Sequence, residues 1–195
     1  MAITKNVIIL GASGNIATHV IRLLANDEDI NLTLFVRNRR KLRNKIVSKF
    51  RIIQGDVLNY QQLKQAVAGH DIVYANLAGD LEAMARNIVR AMGERGVRKL
   101  IFISSIGIFD VPLRAVLKPY RKAADVIEAS DLDYTILRPT WFTDEDEVDY
   151  EITKKSEPER GSVISQRSLA TLIAKIIESP EHYARQNLGV DKPNS

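Results

Sequence analysis

Between a short apolar run, Val7 to Leu10, and a stretch with helical periodicity stands Gly11-Ala12-Ser13-Gly14-Asn15-Ile16-Ala17. What these residues can do follows from their smallness. A glycine at position 11 permits a sharp turn, a glycine at 14 admits phosphate close to the backbone, and a small residue at 17 lets the next helix pack near the strand. The start of that helix then presents unpaired amide hydrogens and the positive end of its dipole to an anion such as a diphosphate. The spacing, Gly-x-x-Gly-x-x-Ala, differs from the tighter Gly-x-Gly-x-x-Gly fingerprint. Taken alone, it is equally a glycine-rich turn in an α/β protein.

The second feature is Arg37, 23 residues after Gly14 at the end of the apolar run Leu32 to Val36, followed by Arg39, Arg40, Lys41 and Arg43. In nucleotide-binding sheets the tip of the second strand meets the adenosine ribose. An acid there favours NAD, and a base favours the 2′-phosphate of NADP. A guanidinium matches phosphate oxygens in pairs, while a lysine adds point charge. Arg37 and Lys41 are therefore assigned to that phosphate, NADP(H) is preferred over NAD(H), and the remaining cations are read as a solvated face. The cluster has no interleaved aromatics and no nucleic-acid motif, which disfavours a nucleic-acid reading.

These residues need a scaffold, and the pattern supplies one. Apolar runs at Val7–Leu10, Leu32–Val36, Lys49–Ile53, Asp71–Ala75, Leu100–Ile103 and Tyr134–Leu137 predict six strands. Helices are predicted from Asn15 to Ala25 with Ile16, Val20, Leu23 and Leu24 inward, and around Leu63, Ala66 and Val67. Two more are predicted from Glu82 to Glu94 with Ala85, Ile88, Val89 and Met92 inward, and from Ser168 to Ile177. Another begins at Pro119, whose missing amide hydrogen costs nothing in a first helical turn. Tyr150 to Lys154 could add a strand, and Ser165 to Ser168 has the character of a helix cap. Strands alternating with helices imply a parallel sheet, and unbroken apolar strands imply one covered on both faces. The fold expected is a Rossmann-type, doubly wound α/β sheet in a single domain over residues 1–195.

Composition narrows the function. The chain has 195 residues, 28 Lys and Arg against 24 Asp and Glu, and no cysteine. The excess of +4 is too mild to argue for a nucleic-acid binder. Without cysteine there is no disulfide, thiolate metal site or cysteine nucleophile. His19, His70 and His182 lack metal-ligand spacing, so no metal is expected. The first residues, Met1 to Asn6, lack the basic and apolar pattern of a leader, and no apolar run approaches the roughly 20 residues that span a bilayer. A cytoplasmic protein without a membrane partner is the expectation.

The chain resembles an atypical short-chain dehydrogenase/reductase of the NmrA-like group, near the flavin reductase/biliverdin-IXβ reductase type. The resemblance rests on Gly11 to Gly14, Val36-Arg37, Gly55-Asp56-Val57, Asn76 to Gly79, Ala85 to Val89, Ser104-Ser105 and Leu132 to Pro139, in family order over nearly the whole chain. It implies that residues 11–16 hold the cofactor phosphates and that Asp56 and Val57 hold the adenine. Asn76, Leu77 and Ala78 would lie along the ribose and pyrophosphate, and Ser104 and Ser105 would approach the nicotinamide. Asp56 has the alternative of an Asx turn, and Asn76 that of a loop cap.

In the wider family, carbonyl reduction uses a serine, a tyrosine and a lysine four residues after the tyrosine. Ser105 and Tyr120 are the candidates here, but position 124 is Ala124. Lys122 lies about 200° around the helix from Tyr120 and cannot substitute. Tyr120 also shares a stripe with Ala123, Ala124 and Ile127, which gives it a packing role as an alternative. A hydride acceptor needing no strong protein acid fits, and a flavin or quinone is the expected small-molecule partner. Residues 139–168 are the expected acceptor segment. Pro139, Trp141 and Phe142 open it, and the two aromatic rings either stack on a planar acceptor or close the core. The run Asp144 to Glu147 is read as a solvated loop. A non-catalytic NADP(H) sensor that reports to a protein partner is the rival reading.

Overall fold

The computed structural model describes residues 4–42, 45–158 and 160–195. Arg43 of the basic run and Glu159 of the expected acceptor segment lie outside the described residues.

Every residue of Val7 to Leu10 is fully buried because the strand is used on both sides. Val7 and Ile9 enter one core cluster, Ile8 and Leu10 the other. This strand, β1 (Lys5–Leu10), runs parallel to β2 (Ile30–Val36), which pairs in turn with β3 (Arg51–Gln54). The chain then returns to the other side of β1, adding β4 (Ile72–Ala75), β5 (Lys99–Ile103) and β6 (Asp133–Pro139). Helix α1 (Asn15–Leu24) covers one face together with α5 (Gln166–Glu178). Helices α2 (Tyr60–Val67), α3 (Leu81–Arg95) and α4 (Lys118–Glu128) cover the other. The doubly wound fold expected from the alternation of elements is what the chain adopts, in one compact α/β domain.

Three strands have no counterpart in the sequence reading. They are β7 (Trp141–Thr143) and β9 (Val163–Ser165), which form a separate parallel pair, and β10 (Gln186–Asp191). Strand β10 lies between β6 and the antiparallel edge strand β8 (Glu151–Lys154), so the sheet order is β3-β2-β1-β4-β5-β6-β10-β8. The strand expected at Tyr150 to Lys154 is β8. Strand β10 escapes a hydrophobic-pattern reading because Asn187, Gly189 and Asp191 alternate with Leu188 and Val190. Gly189 is required by packing, since a Cβ there would stand 2.2 Å from Thr153 Oγ1.

One helix face differs from expectation. Leu23 is 45% exposed, and Ile21 fills the core instead, beside Ile16, Ala17, Val20 and Leu24. At 100° per residue the buried arc from Ile16 to Ile21 spans about 140°, and Leu23 falls just outside it.

His70, nearly buried after α2, places Nε2 2.9 Å from Thr33 Oγ1 and Nδ1 3.3 Å from the Val67 carbonyl. Burial lowers its pKa below the ordinary 6.5. The unfolded chain therefore takes up this proton first, so His70's contribution is intact above pH 6.5 and is lost as the pH falls below it. Thermal melts at pH 7.5 and 5.0 should show a larger acid-induced loss of stability in the wild type than in His70→Gln.

Candidate functional site

The cleft of interest opens where β1 and β4 part company, the point at which a doubly wound sheet reverses its strand order. Leu10 lies opposite Ala75, and the Asn76 amide donates to the Leu10 carbonyl at 2.9 Å. The chain turns at Gly11 with φ +81°. A Cβ on Gly11 would come within 2.1 Å of the Asn76 carbonyl oxygen, and one on Gly14 within 2.5 Å of Asn76 Nδ2. Gly11 is thus required by the Asn76 backbone, whereas Gly14 faces the movable end of the Asn76 side chain, a neighbour the spacing did not reveal. Ala17 is fully buried, as the packing of α1 on the sheet demands.

Helix α1 begins without protection. Gly14 offers no side-chain cap, and the first turn contains no acid, so the leading amides and the positive dipole end carry no counter-charge. Around this helix start lies a cleft of about 760 Å³. Its lining includes Gly11, Ser13, Gly14, Asn15, Ile16, Arg37, Lys41, Asp56, Val57, Asn76, Leu77, Ala78 and Phe142. Ala12, nearly fully buried, lines an adjoining cleft of about 910 Å³ instead. Phe35, Gly55, Asn38, Met84 and Gln166 also line the first cleft and were not foreseen.

Electrostatics suit an anion at one end. Arg37 and Lys41 are exposed, and neither forms an ion pair with another described residue. Asp56 makes the Asx turn, its Oδ1 accepting from the Leu58 amide at 2.9 Å, and its own amide donates to Gln62 Oε1 at 3.0 Å. This leaves Oδ2 without a hydrogen bond among the described residues. Val57 is buried, and its carbonyl accepts from Asn87 Nδ2 at 3.0 Å, so α3 anchors the Asp56–Val57 loop. Asn87 belongs to a segment whose role the sequence did not declare.

The remaining predicted residues are not brought to this lining. Ser104 is 4% exposed at the tip of β5, its amide donating to the Leu137 carbonyl at 2.7 Å and its Oγ buried without a hydrogen-bond partner. Ser105 Oγ donates to the Ile106 carbonyl at 3.2 Å. Tyr120 is half-buried against the α3–α4 core cluster, and Ala124 is fully buried there. Lys122 is engaged by Glu82 at 3.0 Å and Arg121 by Asp125 at 2.8 Å, so neither faces Tyr120 as a replacement lysine.

Pro139 is buried and its carbonyl accepts from the Ile106 amide at 3.1 Å. Trp141 is 70% and Phe142 47% exposed, which removes the alternative that they close the core. The acidic run is an exposed loop, as expected, whose side chains also find partners. Asp144 pairs with Gln166 and Asp146 with Arg167, while Glu145 and Glu147 share Lys192. Lys192 holds the Glu147 carboxyl below its usual range.

A dinucleotide fits the cleft by two observations: the first turn of α1 has no side-chain cap and no acid, and Arg37 and Lys41 line the same cleft without an ion pair among the described residues. Outside that lining, the Ser104 hydroxyl is buried without the hydrogen-bond partner that a buried polar group normally has. Among the described residues no group of three His, Asp or Glu side chains is placed to hold a metal ion, and no helix is long and apolar enough to cross a membrane.

A family model described as NAD(P)H-binding matches residues 11–180. A Rossmann-fold NAD(P)-binding family protein from Shigella flexneri is 49% identical, with a TM-score of 0.91 over 98% of this chain and 95% of that one. A short-chain dehydrogenase/reductase (wide type) from Veillonella parvula, solved in complex with NADP, is 27% identical with a TM-score of 0.89 over 97% and 95%. An isoflavone reductase homolog of Nicotiana glauca is 26% identical over 154 residues, which cover 72% of this chain and 49% of the relative. The chain thus spans about half the length of the curated relatives it matches at this level.

Gly11→Ala should lower stability by about 2 kcal/mol or more, because a positive φ and a backbone oxygen both oppose the methyl group. Gly14→Ala meets only a movable side chain. It should fold with a smaller loss while weakening dinucleotide binding about tenfold or more. Denaturant unfolding and a cofactor titration separate the two effects.

Proposed function

The chain belongs to that NAD(P)H-binding family, and on this premise we propose that it is an NADPH-dependent oxidoreductase that reduces a planar acceptor such as a flavin or quinone. Within the family we place it with the NmrA-like short-chain dehydrogenases/reductases of the flavin reductase/biliverdin-IXβ reductase type. The observation that carries the reading is one cleft holding both an uncompensated helix start and, at the tip of β2, a guanidinium with no ion pair among the described residues.

In this reading the α1 amides that follow the Gly14 turn hold the diphosphate, and Arg37 with Lys41 holds the 2′-phosphate. Asp56 Oδ2 accepts from the adenine amino group. Asn76, Leu77 and Ala78 bound the ribose, and the Ser104 hydroxyl serves the nicotinamide end. Bound there, reduced nicotinamide supplies a hydride. Phe142 and Trp141, exposed at the start of the acceptor segment, offer faces to a flat ring.

The acceptor class follows from what the chain does not provide. With Ala124 in place of a lysine, Tyr120 against the core and Ser105 Oγ donating to a backbone carbonyl, no tyrosine–lysine pair delivers a proton. A flavin or quinone accepts hydride without such an acid and takes its proton from water. The same residues also support a non-catalytic NADP(H) sensor, since Ala124 is sealed in the core and Lys122 is committed to Glu82.

Steady NADPH oxidation should appear with FMN or a quinone. Tight NADPH binding with no turnover across a broad acceptor panel would leave the sensor reading. Arg37→Glu should weaken NADPH binding about tenfold or more while changing NADH little, and an unchanged preference would remove Arg37 from the site.

A further inference from the structure

Four cations crowd one short segment of this protein: Arg37, Arg39, Arg40 and Lys41 fall within five residues. All four are exposed, and none pairs with a carboxylate among the described residues. The cluster is preformed. Residues Arg39–Lys41 make a single 3₁₀ turn, with Asn38 Oδ1 accepting from the Arg40 amide at 2.9 Å. Leu42 pins the end of the turn to the core cluster of α1 and α5.

A cleft of about 570 Å³ lies on this turn, lined by Arg37, Asn38, Arg39, Arg40 and Gln54, with no acid in its wall. Arg37 lines both this cleft and the cofactor cleft, whereas Arg39 and Arg40 line only this one. A 2′-phosphate therefore has Arg37 and Lys41 within its own cleft, and two arginines are surplus to it.

We propose that Arg39 and Arg40, with Arg37 at their border, form a docking surface for a short acidic segment of a partner protein, and that a 2′-phosphate in the neighbouring cleft weakens this docking. Protein carboxylates are favoured over nucleic acid by the small footprint, a single turn. The patch offers no aromatic platform for bases and far fewer cations than a duplex contact uses. Guanidinium groups pair with carboxylates in the two-pronged geometry that Arg39 and Arg40 are free to adopt.

The coupling is electrostatic. A phosphate on Arg37 and Lys41 cancels part of the field within a Debye length, about 10 Å at 0.1 M salt, and repels carboxylates directly. By reciprocity the acidic segment weakens NADPH by the same factor. NADH, which lacks that phosphate, leaves the surface charged. The coupling rests on the assignment of Arg37 to the 2′-phosphate, whereas the surface itself does not.

The test uses a fluorescein-labelled hexaglutamate peptide, read by anisotropy at about 50 mM salt, where surface charge is least screened. Wild-type protein should bind it. Arg39→Glu/Arg40→Glu should weaken binding about tenfold, and Arg95→Glu/Arg98→Glu, an equal change of net charge between α3 and β5, should not. Saturating NADPH should weaken the peptide about threefold or more, and NADH should not. The proposal is overturned if the control variant loses as much as Arg39→Glu/Arg40→Glu, if that variant binds like wild type, or if the two dinucleotides act alike. It is also overturned if an oligonucleotide of equal charge binds more tightly than the peptide. Failure of wild-type protein to bind NADPH would instead defeat the cofactor reading, and the two charge-reversal variants would still decide the surface.

Discussion

The close approach of Asn76 to the turn at Gly11 and Gly14 is the constraint on which the site depends. Strands β1 and β4 are neighbours although the chain between them travels out through β2 and β3 and back. The bond from the Asn76 amide to the Leu10 carbonyl ties their tips together. That contact leaves no room for a Cβ at Gly11, sets the Asn76 side chain against Gly14 and turns the start of α1 toward the crevice. On the other side, the Gly11 and Ala12 amides both donate to the Phe35 carbonyl, which fixes the tip of β2, and so Arg37, against the same loop. One packed junction thus sets the positions of the helix dipole, the guanidinium and the Asn76–Ala78 wall together.

Charge around this junction is arranged to stay uncompensated. The first turn of α1 has no acid and no side-chain cap, and the described acids do not reach the cations at the tip of β2. Elsewhere charges are extensively paired. Glu82 takes both Arg86 and Lys122, Glu94 takes Lys64 and Arg90, and the run Asp144 to Glu147 is fastened to α5 and Lys192. An exposed ion pair contributes little stability, so pairing elsewhere does not explain the fold. It leaves Arg37 and Lys41, at the tip of β2, without a carboxylate partner among the described residues.

Of the residues expected at the acceptor end, only Phe142 reaches the lining of the cleft. Helix α4 spends Tyr120, Ala123, Ala124 and Ile127 on packing against the core, and its charged residues on α3 and on its own next turn. No tyrosine–lysine pair is assembled among the described residues, while two aromatic side chains stand in solvent on β7.

Strand and helix periodicity made six strands, the helices between them and the doubly wound order legible, because each apolar run is long enough to be buried on both faces. Gly11, Gly14 and Arg37 were legible for the same reason, since their places at the ends of the first two strands follow from that order. Strand β10 was not, because its alternating polar residues are set by Arg138, Glu128 and Thr153, which meet it only in the folded sheet. Nor was the choice at Trp141 and Phe142, where exposure is decided by a pairing of β7 with β9 more than 20 residues away. The sequence by itself determined the fold class and the glycine-rich corner at the start of α1, both written in local spacing. Tertiary structure alone decided that Asn76 is what Gly11 accommodates and that Asn87 anchors the Asp56 loop. Those contacts join residues 65 and 30 positions apart, beyond the reach of any local pattern.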